Sequence, residues 1–213
     1  MPQNSSNIIT ANRAQKVSET DSFTPARYKQ FYAHLPPQAK RVLDVGCNTG
    51  RGGQILKACD SSLDLVGLDC VPERIAALDK CVYQDALCGF STDIPAEEAS
   101  FDVVIGGEFI EHVPPSQVDG TLAEFFRVLR LKGRLLLTTP NPNYLKNKLK
   151  KLSVLLDQSH VSQHFPDCLA HRIRLVGFSN IRLFGSGRVS RYLGQRFPLL
   201  SFYGSYLIRG DKW

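Results

Sequence analysis

The chain of 213 residues lacks the features of membrane-spanning and exported proteins. It has no run of about eighteen uncharged apolar residues, the length that a transmembrane helix requires. Its first residues, MPQNSSNIITANRAQ, have neither the basic start nor the apolar segment of a signal peptide. The six cysteines occur without a C-x-x-C pair, which disfavours a zinc site or a disulfide framework and is typical of a reducing compartment. We therefore expect a cytoplasmic protein.

Acidic residues are scarce in the last third of the chain. Residues 130–213 contain 15 Lys and Arg but only 3 Asp and Glu, whereas residues 1–129 carry a net negative charge. This separation has two interpretations. The last third either faces an anionic partner, such as a phosphorylated substrate, a membrane surface or nucleic acid, or it is a solvated basic surface.

Most of the chain alternates short apolar runs with helical patterns. Residues 1–20 are polar and without periodicity, which predicts a flexible segment, and we expect residues 21–213 to form a single domain. The runs RVLDV, LDLVGLD, KCVYQD, FDVVIGG and GRLLLTTP predict strands, and helical patterns such as RGGQILKAC and VDGTLAEFFRVLR lie between them. This alternation predicts a Rossmann-like α/β fold with a doubly wound, seven-stranded, mostly parallel sheet. NIRLFG and FYGSYLIRG complete it as an antiparallel C-terminal strand pair at the sheet edge.

A lid-like insertion is predicted at about residues 141–165. Leucines recur there at helical spacing with lysines between them, which predicts a basic amphipathic helix over residues 145–156. Such a helix could cover a site, contact a membrane surface or pack against the domain.

The glycine-rich stretch RVLDVGCNTGRGG follows the first predicted strand. It lacks the dinucleotide fingerprint, because Asn48 and Arg51 stand where the second and third glycines belong. The pattern that fits is D-x-G-x-x-x-G, formed by Asp44, Gly46 and Gly50, and asparagine adopts the left-handed conformation almost as glycine does. A carboxylate at the strand end attracts an amine and repels a phosphate. A pyrophosphate ligand is therefore disfavoured.

Two further acids lie where a nucleoside would need them. Asp69 ends the strand pattern LVGLD, a position from which a carboxylate accepts both ribose hydroxyls. Asp85 follows VYQ, where it could accept a hydrogen bond from an adenine amino group while Ala86 and Leu87 flank the ring. An adenosine that carries an amino acid and no phosphate would use all these acids. The predicted cofactor is therefore S-adenosylmethionine.

Five motifs in order, LDVGCNTG, GLD, QDA, FDVVIGGEFIEHV and LKGRLLLTTPN, resemble those of the class I S-adenosylmethionine-dependent methyltransferase family. The likeness runs from about residue 41 to residue 184 and implies methyl transfer. It departs at Asn48, where the family usually has glycine. By resemblance, the methionine end, ribose, adenine and reacting methyl of the cofactor are contacted by residues after successive strands: Asp44, Gly46, Cys47, Asn48, Gly50, Asp69, Cys70, Asp85, Ala86, Gly107 and Glu108.

The stretch GGEFIEHVPP provides candidates for acid–base chemistry. Glu108, Glu111 and His112 would share one face of a helical turn. We predict that His112 is the general base and that Glu111 orients it, although such a pair can also serve only to shape the loop. No metal is predicted. The alternative is that Glu108, Glu111 and His112, with His160 or His164, resemble the ligands of metal-dependent RNA ribose 2′-O-methyltransferases.

The C-terminal third is similar to bacterial methyltransferases of glycan and lipopolysaccharide biosynthesis, in the segments TPNPNYLKNKLKKL and SHVSQHFPDCLAHRIRLVGF. This implies a sugar hydroxyl as acceptor, on an anionic phosphate-linked or lipid-linked precursor, and His160, His164 and Arg188 are candidate substrate contacts. Ubiquinone-type O-methyltransferases are also similar, which keeps a phenolic or quinone-type lipid and a peripheral membrane contact through residues 145–156 as alternatives. Nucleic acid is disfavoured because few aromatics interleave the basic stretch. A noncatalytic cofactor-binding protein is the remaining alternative.

Overall fold

A seven-stranded sheet forms the centre of the computed structural model, which describes residues 3–14 and 20–213. The strands are β1 (Arg41–Val45), β2 (Asp64–Asp69), β3 (Asp85–Cys88), β4 (Phe101–Gly107), β5 (Leu129–Pro140), β6 (Ser179–Ser186) and β7 (Ser205–Asp211). They lie in the order β3-β2-β1-β4-β5-β7-β6, and β7 runs opposite to the other six of these strands. The predicted fold class is confirmed. Strand β7 lies between β5 and β6, so β6 alone forms that edge.

Helices cover both faces of the sheet. They are α1 (Gln3–Ala14), α2 (Phe23–Ala33), α3 (Arg51–Cys59), α4 (Pro72–Ala76), α5 (Val118–Val128), α6 (Leu145–Leu149), α7 (Pro166–Val176) and α8 (Ser190–Leu193). Apolar side chains of α5 and α7 bury one face of the sheet, and those of α2 and α3 bury the other. Because the inner strands are covered on both sides, β1 and β4 are almost continuously buried instead of alternating.

The winding direction of the chain reverses between β1 and β4. Strands β2 and β3 follow on one side of β1, while β4 and β5 lie on the other. In open parallel sheets, ligands bind outside the carboxyl ends of the strands at such a reversal. The loops that begin at Gly46 and Glu108 therefore frame the expected binding crevice.

The single helix predicted over residues 145–156 is wrong. Helix α6 ends at Leu149, Lys151 adopts a positive φ of 52°, and a separate 3-10 turn follows over Val154–Leu156. The Ser153 hydroxyl oxygen accepts a hydrogen bond from the backbone N–H of Leu155 and starts this second turn. Helices in proteins are stabilised mainly by packing of their apolar face, and Leu149 is 76% exposed. The regularly spaced leucines therefore have no apolar surface to pack against, and a continuous helix is not stabilised.

Two other segments differ from expectation. The predicted strand KCVYQD is a turn, and β3 begins only at Asp85. Within the segment predicted to be flexible, the structure has helix α1, where Arg13 pairs with Glu73 at 2.8 Å and the carbonyl of Asn12 accepts a hydrogen bond from Arg74. Residues 1–2 and 15–19 of that segment lie outside the described residues. Polar contacts therefore join α1 to α4.

Candidate active site

A cavity of about 800 Å³ opens at the carboxyl ends of β1, β2, β3 and β4. Nine of the predicted site residues line this cavity: Gly46, Cys47, Asn48, Asp69, Cys70, Gly107, Glu108, His112 and Arg188. Those that do not line it are Asp44, Gly50, Asp85, Ala86, Glu111, His160 and His164. The wall also contains residues of α1, α2 and the segment around α6 that the sequence reasoning missed. The volume lies within the range of small-molecule sites.

The glycine-rich turn presents its backbone to this cavity. Asn48 has a φ of 54°, and Gly46 and Gly50 have φ of 69° and 82°, so the left-handed conformation expected for Asn48 is present. A Cβ atom on Gly46 would lie 2.8 Å from Cδ2 of Phe109. Glycine is required there both by its dihedral angle and by the close approach of this ring.

Asp44 lies beneath the turn and is completely buried. The Tyr28 hydroxyl donates to its Oδ1 at 2.8 Å, and the Tyr83 hydroxyl donates to its Oδ2 at 2.6 Å. Burial raises the pKa of Asp44 to about 6, against the opposing effect of the two hydroxyl donors. Both carboxylate oxygens are thus occupied within the protein. Asp44 supports the turn from below and does not contact the cavity, contrary to its predicted role.

Asp69 joins the turn to the loop after β2. Its Oδ1 accepts a hydrogen bond from the backbone N–H of Val71 at 2.9 Å, and its Oδ2 accepts one from Asn48 N–H at 3.2 Å. Arg74 Nη1 lies 3.5 Å from Oδ2. The carboxylate is therefore held in place at the cavity wall. It has further lone pairs for the vicinal hydroxyls that the sequence predicts as its ligands.

The structure does not place Asp85 at the cavity, contrary to its predicted role. This residue begins β3 and pairs in register with Val66, three residues before Asp69 at the carboxyl end of β2. It is therefore about 10 Å from the edge that bears the cavity, and Ala86 follows it away from the wall. Gly89, Phe90 and Ser91 line the cavity at the carboxyl end of β3 instead. The aromatic ring directly after DALCG was the signal in the sequence for this position.

Opposite charges meet at the floor of the cavity. Glu108 adopts a φ of 51° as β4 ends, and its backbone N–H donates to the Thr138 carbonyl at 3.0 Å. Arg27 Nη2, from α2, lies 3.8 Å from Glu108 Oε1. This oxygen is buried, and among the described residues it has no hydrogen-bond partner. Arg27 was missed in the sequence, although it directly precedes the buried Tyr28.

His112 lies in a 3-10 turn over Ile110–His112 and lines the cavity. Its Nδ1 is 2.8 Å from the carbonyl oxygen of Ser159. A carbonyl only accepts, so in the neutral ring Nδ1 carries the proton and Nε2 is the basic nitrogen. Burial lowers the pKa of His112, while the bond to Ser159 opposes that effect. The ring of His160 packs edge-on against His112, with centroids 5.1 Å apart.

Glu111 is fully buried beside this histidine. Its Oε2 accepts a hydrogen bond from the Thr139 hydroxyl at 3.0 Å, and its Oε1 has no hydrogen-bond partner in the part of the chain that the structure describes. Burial, followed by the charge of Glu108, raises the pKa of Glu111 well above the usual value. The group at Nδ1 of His112 is therefore the Ser159 carbonyl and not this carboxyl. The backbone carbonyl of Glu111 accepts a hydrogen bond from the N–H of Ser162 at 3.1 Å. Glu111 thus contacts the segment that carries Ser159, the partner of His112.

Three of the candidate ligands of the metal alternative lie close together. Among residues 3–14 and 20–213, one group of metal-ligand types has ligand atoms within 4.8 Å of one another, and it consists of Glu111, His112 and His160. His164 is not part of it, because its Nε2 lies 2.8 Å from Ser162 Oγ and 3.1 Å from the Ile110 carbonyl. Glu108 also lies outside the group. The set with Glu108 and His164 is thus not assembled.

A family model described as a methyltransferase domain matches residues 43–137. An uncharacterized methyltransferase of Mycobacterium bovis is 35% identical over 102 residues, 47% of this chain and 40% of that protein. A ubiquinone biosynthesis O-methyltransferase of Xanthomonas axonopodis pv. citri is 34% identical over 129 residues, 56% of this chain and 51% of that protein. The chain thus spans about half or less of the length of these relatives.

The fold also matches solved structures. A SAM-dependent methyltransferase from Archaeoglobus fulgidus superposes with a TM-score of 0.68 at 19% identity, over 88% of this chain and 92% of that one. At this identity the likeness concerns the fold. In the described part of the chain, no helix has both the length and the apolar character needed to cross a membrane.

Proposed function

We propose that the chain is a class I S-adenosylmethionine-dependent methyltransferase, as the family model over residues 43–137 and the sequence relatives indicate, and that it transfers the methyl group of this cofactor to a hydroxyl of a small-molecule acceptor. One observation carries the proposal. A single cavity joins an acidic strand end suited to a ribose, a pair of opposite charges suited to an amino acid, and a histidine with a defined basic nitrogen.

The cofactor fits this donor set. Asp69 accepts the ribose hydroxyls, while Phe90 and Ser91 flank the adenine. The buried Oε1 of Glu108, which has no hydrogen-bond partner among the described residues, accepts from the ammonium of the methionine part, and Arg27 binds its carboxylate. The charges of Glu108 and Arg27 thus match a zwitterion. When bound, the cofactor supplies a methyl group on a positively charged sulfur.

His112 removes the proton of the acceptor hydroxyl at its Nε2. The Ser159 carbonyl holds the imidazole in the required tautomer, and the ring of His160 limits its rotation. Because burial lowers the pKa of His112, the ring is neutral and able to accept a proton near neutral pH. The remaining contribution of the protein is to align the hydroxyl oxygen with the methyl carbon.

The acceptor is a sugar hydroxyl on an anionic glycan precursor. The wall beyond His112 carries hydrogen-bonding side chains of the kind that bind sugars, namely Tyr144, Asn147 and Asp157. Arg188 adds a positive charge at the same mouth, where its guanidinium lies 5.3 Å from the centre of the Phe23 ring. Polar groups for hydroxyls and a cation for an anionic substituent of the precursor occur together there. This combination supports a phosphate-linked or lipid-linked sugar as the acceptor.

Exposed leucines beside this mouth support a lipid-linked form. Leu149 is 76% exposed and Leu156 is 64% exposed, in a segment that also carries Lys146, Lys150 and Lys151. Apolar side chains among lysines bind the surface of an anionic membrane. We therefore propose that residues 145–156 contact the membrane that presents the acceptor, although they form two short turns instead of one helix.

Radiolabelled methyl transfer from S-adenosylmethionine to a panel of acceptors tests the proposal. The panel contains an alkyl glycosyl phosphate, the matching uncharged alkyl glycoside and a catechol with an isoprenoid chain. Preference for the glycosyl phosphate supports the proposed acceptor. Transfer to the catechol alone would place the chain with ubiquinone-type activity, which its 34% identity to such an enzyme favours as the second candidate. Cofactor binding without transfer to any acceptor in the panel or in a total lipid extract would refute the proposed activity.

A further inference from the structure

A second cavity of about 570 Å³ lies on the other side of α6. The two cavities share this helix as a wall, since Asn147 lines the first and Lys148 lines the second. The diameter of an α-helix with its side chains is about 10 Å. A ligand that reached both cavities would therefore present two separate parts of one molecule.

The lining of the second cavity combines positive charge with an apolar wall. Lys148 and Arg196 provide the cations, and Asp167 is the acid in the lining. Within residues 3–14 and 20–213, neither cation belongs to an ion pair. The apolar side chains in the lining come from β6 and from the loop before β7: Leu183, Phe197, Pro198 and Leu200.

We propose that this second cavity binds the phosphate group and the adjoining alkyl chain of the acceptor's carrier, with Lys148 and Arg196 holding the phosphate; the inference rests on the proposed function. Two cations around one phosphate give charge-assisted hydrogen bonds. The apolar wall beside them matches a hydrocarbon chain rather than a nucleoside or a free ion. The sugar hydroxyl then lies across α6 in the first cavity, beside His112.

The test is calorimetric titration of the full chain with dodecyl phosphate below its micelle concentration. Dodecyl maltoside has the same chain without the phosphate, and uridine diphosphate has phosphates without the chain. We expect dodecyl phosphate to bind at least about tenfold more tightly than either. Equal binding of the maltoside would overturn the phosphate assignment, and equal binding of uridine diphosphate would overturn the apolar part.

Charge-matched variants locate the binding. Lys148→Ala with Arg196→Ala removes the two cations of the cavity, whereas Lys29→Ala with Arg182→Ala removes two exposed cations outside its lining. We expect only the first pair of substitutions to weaken the binding of dodecyl phosphate, by about tenfold or more. An equal loss with the second pair would show attraction to the general positive charge and overturn the site.

S-adenosylhomocysteine separates this inference from the proposed function. Its affinity should be the same in both double variants as in the parent chain, since none of the four residues lines the first cavity. If the nucleoside does not bind to the parent chain, the proposed function fails. If it binds normally and dodecyl phosphate does not, only the second cavity is wrongly assigned.

Discussion

The Nδ1 atom of His112 donates to the carbonyl oxygen of Ser159 over 2.8 Å, and this bond joins the turn after β4 to the segment that follows α6. The bond has a chemical and a structural consequence. It leaves Nε2 as the basic nitrogen of the ring. It also makes the position of residues 153–162 part of the machinery that orients the base.

His112→Ala should lower methyl transfer by about 10²–10⁴-fold, the usual contribution of a general base, while affinity for S-adenosylhomocysteine is unchanged. His171→Ala, an exposed histidine on α7, is the matched control and should leave both unchanged. Turnover should increase with pH as His112 loses its proton, with a midpoint below its ordinary value of 6.5 because burial lowers the pKa. A variant that retained full turnover would remove His112 from the chemistry.

Asp44→Asn should change how stability depends on pH. Because burial raises the pKa of Asp44 from 3.8 to about 6, the folded chain holds a proton between these values that the unfolded chain has lost. The stability of the parent therefore falls as pH rises through this window, and the variant lacks that loss. Between pH 4 and pH 7, the unfolding free energy of the variant should gain about 2 kcal/mol relative to the parent. Urea unfolding at each pH measures this difference.

Asp102→Asn provides a control of opposite sign. Although desolvation opposes it, the backbone N–H groups of Arg41 and Lys40 and the side chain of Arg130 lower the pKa of Asp102. Its contribution to stability is lost as pH falls through that lowered value, so this variant should lose stability relative to the parent as pH rises. If the two variants followed the same pH trend, the described environment of Asp44 would be wrong.

Gly52→Ala should destabilise the protein, whereas Gly120→Ala should not. A Cβ atom on Gly52 would overlap the ring of Tyr28, which donates to Asp44 under the cofactor turn. A clash of this kind costs about 1–3 kcal/mol. A Cβ atom on Gly120 meets only Thr92 Cγ2 at 3.8 Å, so alanine there should be neutral or stabilise α5 by up to about 1 kcal/mol. Thermal unfolding of both variants decides this, and equal melting temperatures would contradict the described packing.

Chelation should leave methyl transfer intact. Burial, followed by the charge of Glu108, raises the pKa of Glu111 well above its usual value and so disfavours the anionic form that a metal ligand needs, and its Oε2 already accepts from Thr139. Turnover should therefore persist in ethylenediaminetetraacetate. A metal site at Glu111, His112 and His160 would instead be established if chelation abolished turnover, added Zn²⁺ or Mn²⁺ restored it, and His160→Ala prevented that restoration.

Local signals explain which features could be predicted from the sequence. The apolar runs of β1 and β4 and the left-handed Asn48 follow from burial on both faces and from backbone chemistry within a few residues. Asp85 was expected at the cavity because VYQ resembles the end of a strand. In the structure, the hydroxyl of Tyr83 points inward and donates to Asp44, 39 residues earlier. That contact depends on the fold.

The same reasoning applies to the acceptor side. Leucine spacing predicted a helix over residues 145–156, but periodicity does not reveal whether a surface exists to bury the apolar face. Arg27 pairs with Glu108 across the cavity floor, and no short-range pattern predicts such a pair. Thus the sequence could indicate the cofactor and the loop that carries the base, whereas the partners that orient them require the three-dimensional structure.

Calorimetric titration of S-adenosylhomocysteine into the parent chain, Asp69→Ala and Asp85→Ala tests the central claim most directly. Asp69 lines the cavity and Asp85 begins β3 far from it. The parent and Asp85→Ala should bind with equal affinity, and Asp69→Ala should lose about 10–100-fold, as expected for charge-assisted hydrogen bonds to the ribose. No binding to the parent, or equal binding to Asp69→Ala, would contradict the assignment of this cavity as the cofactor site.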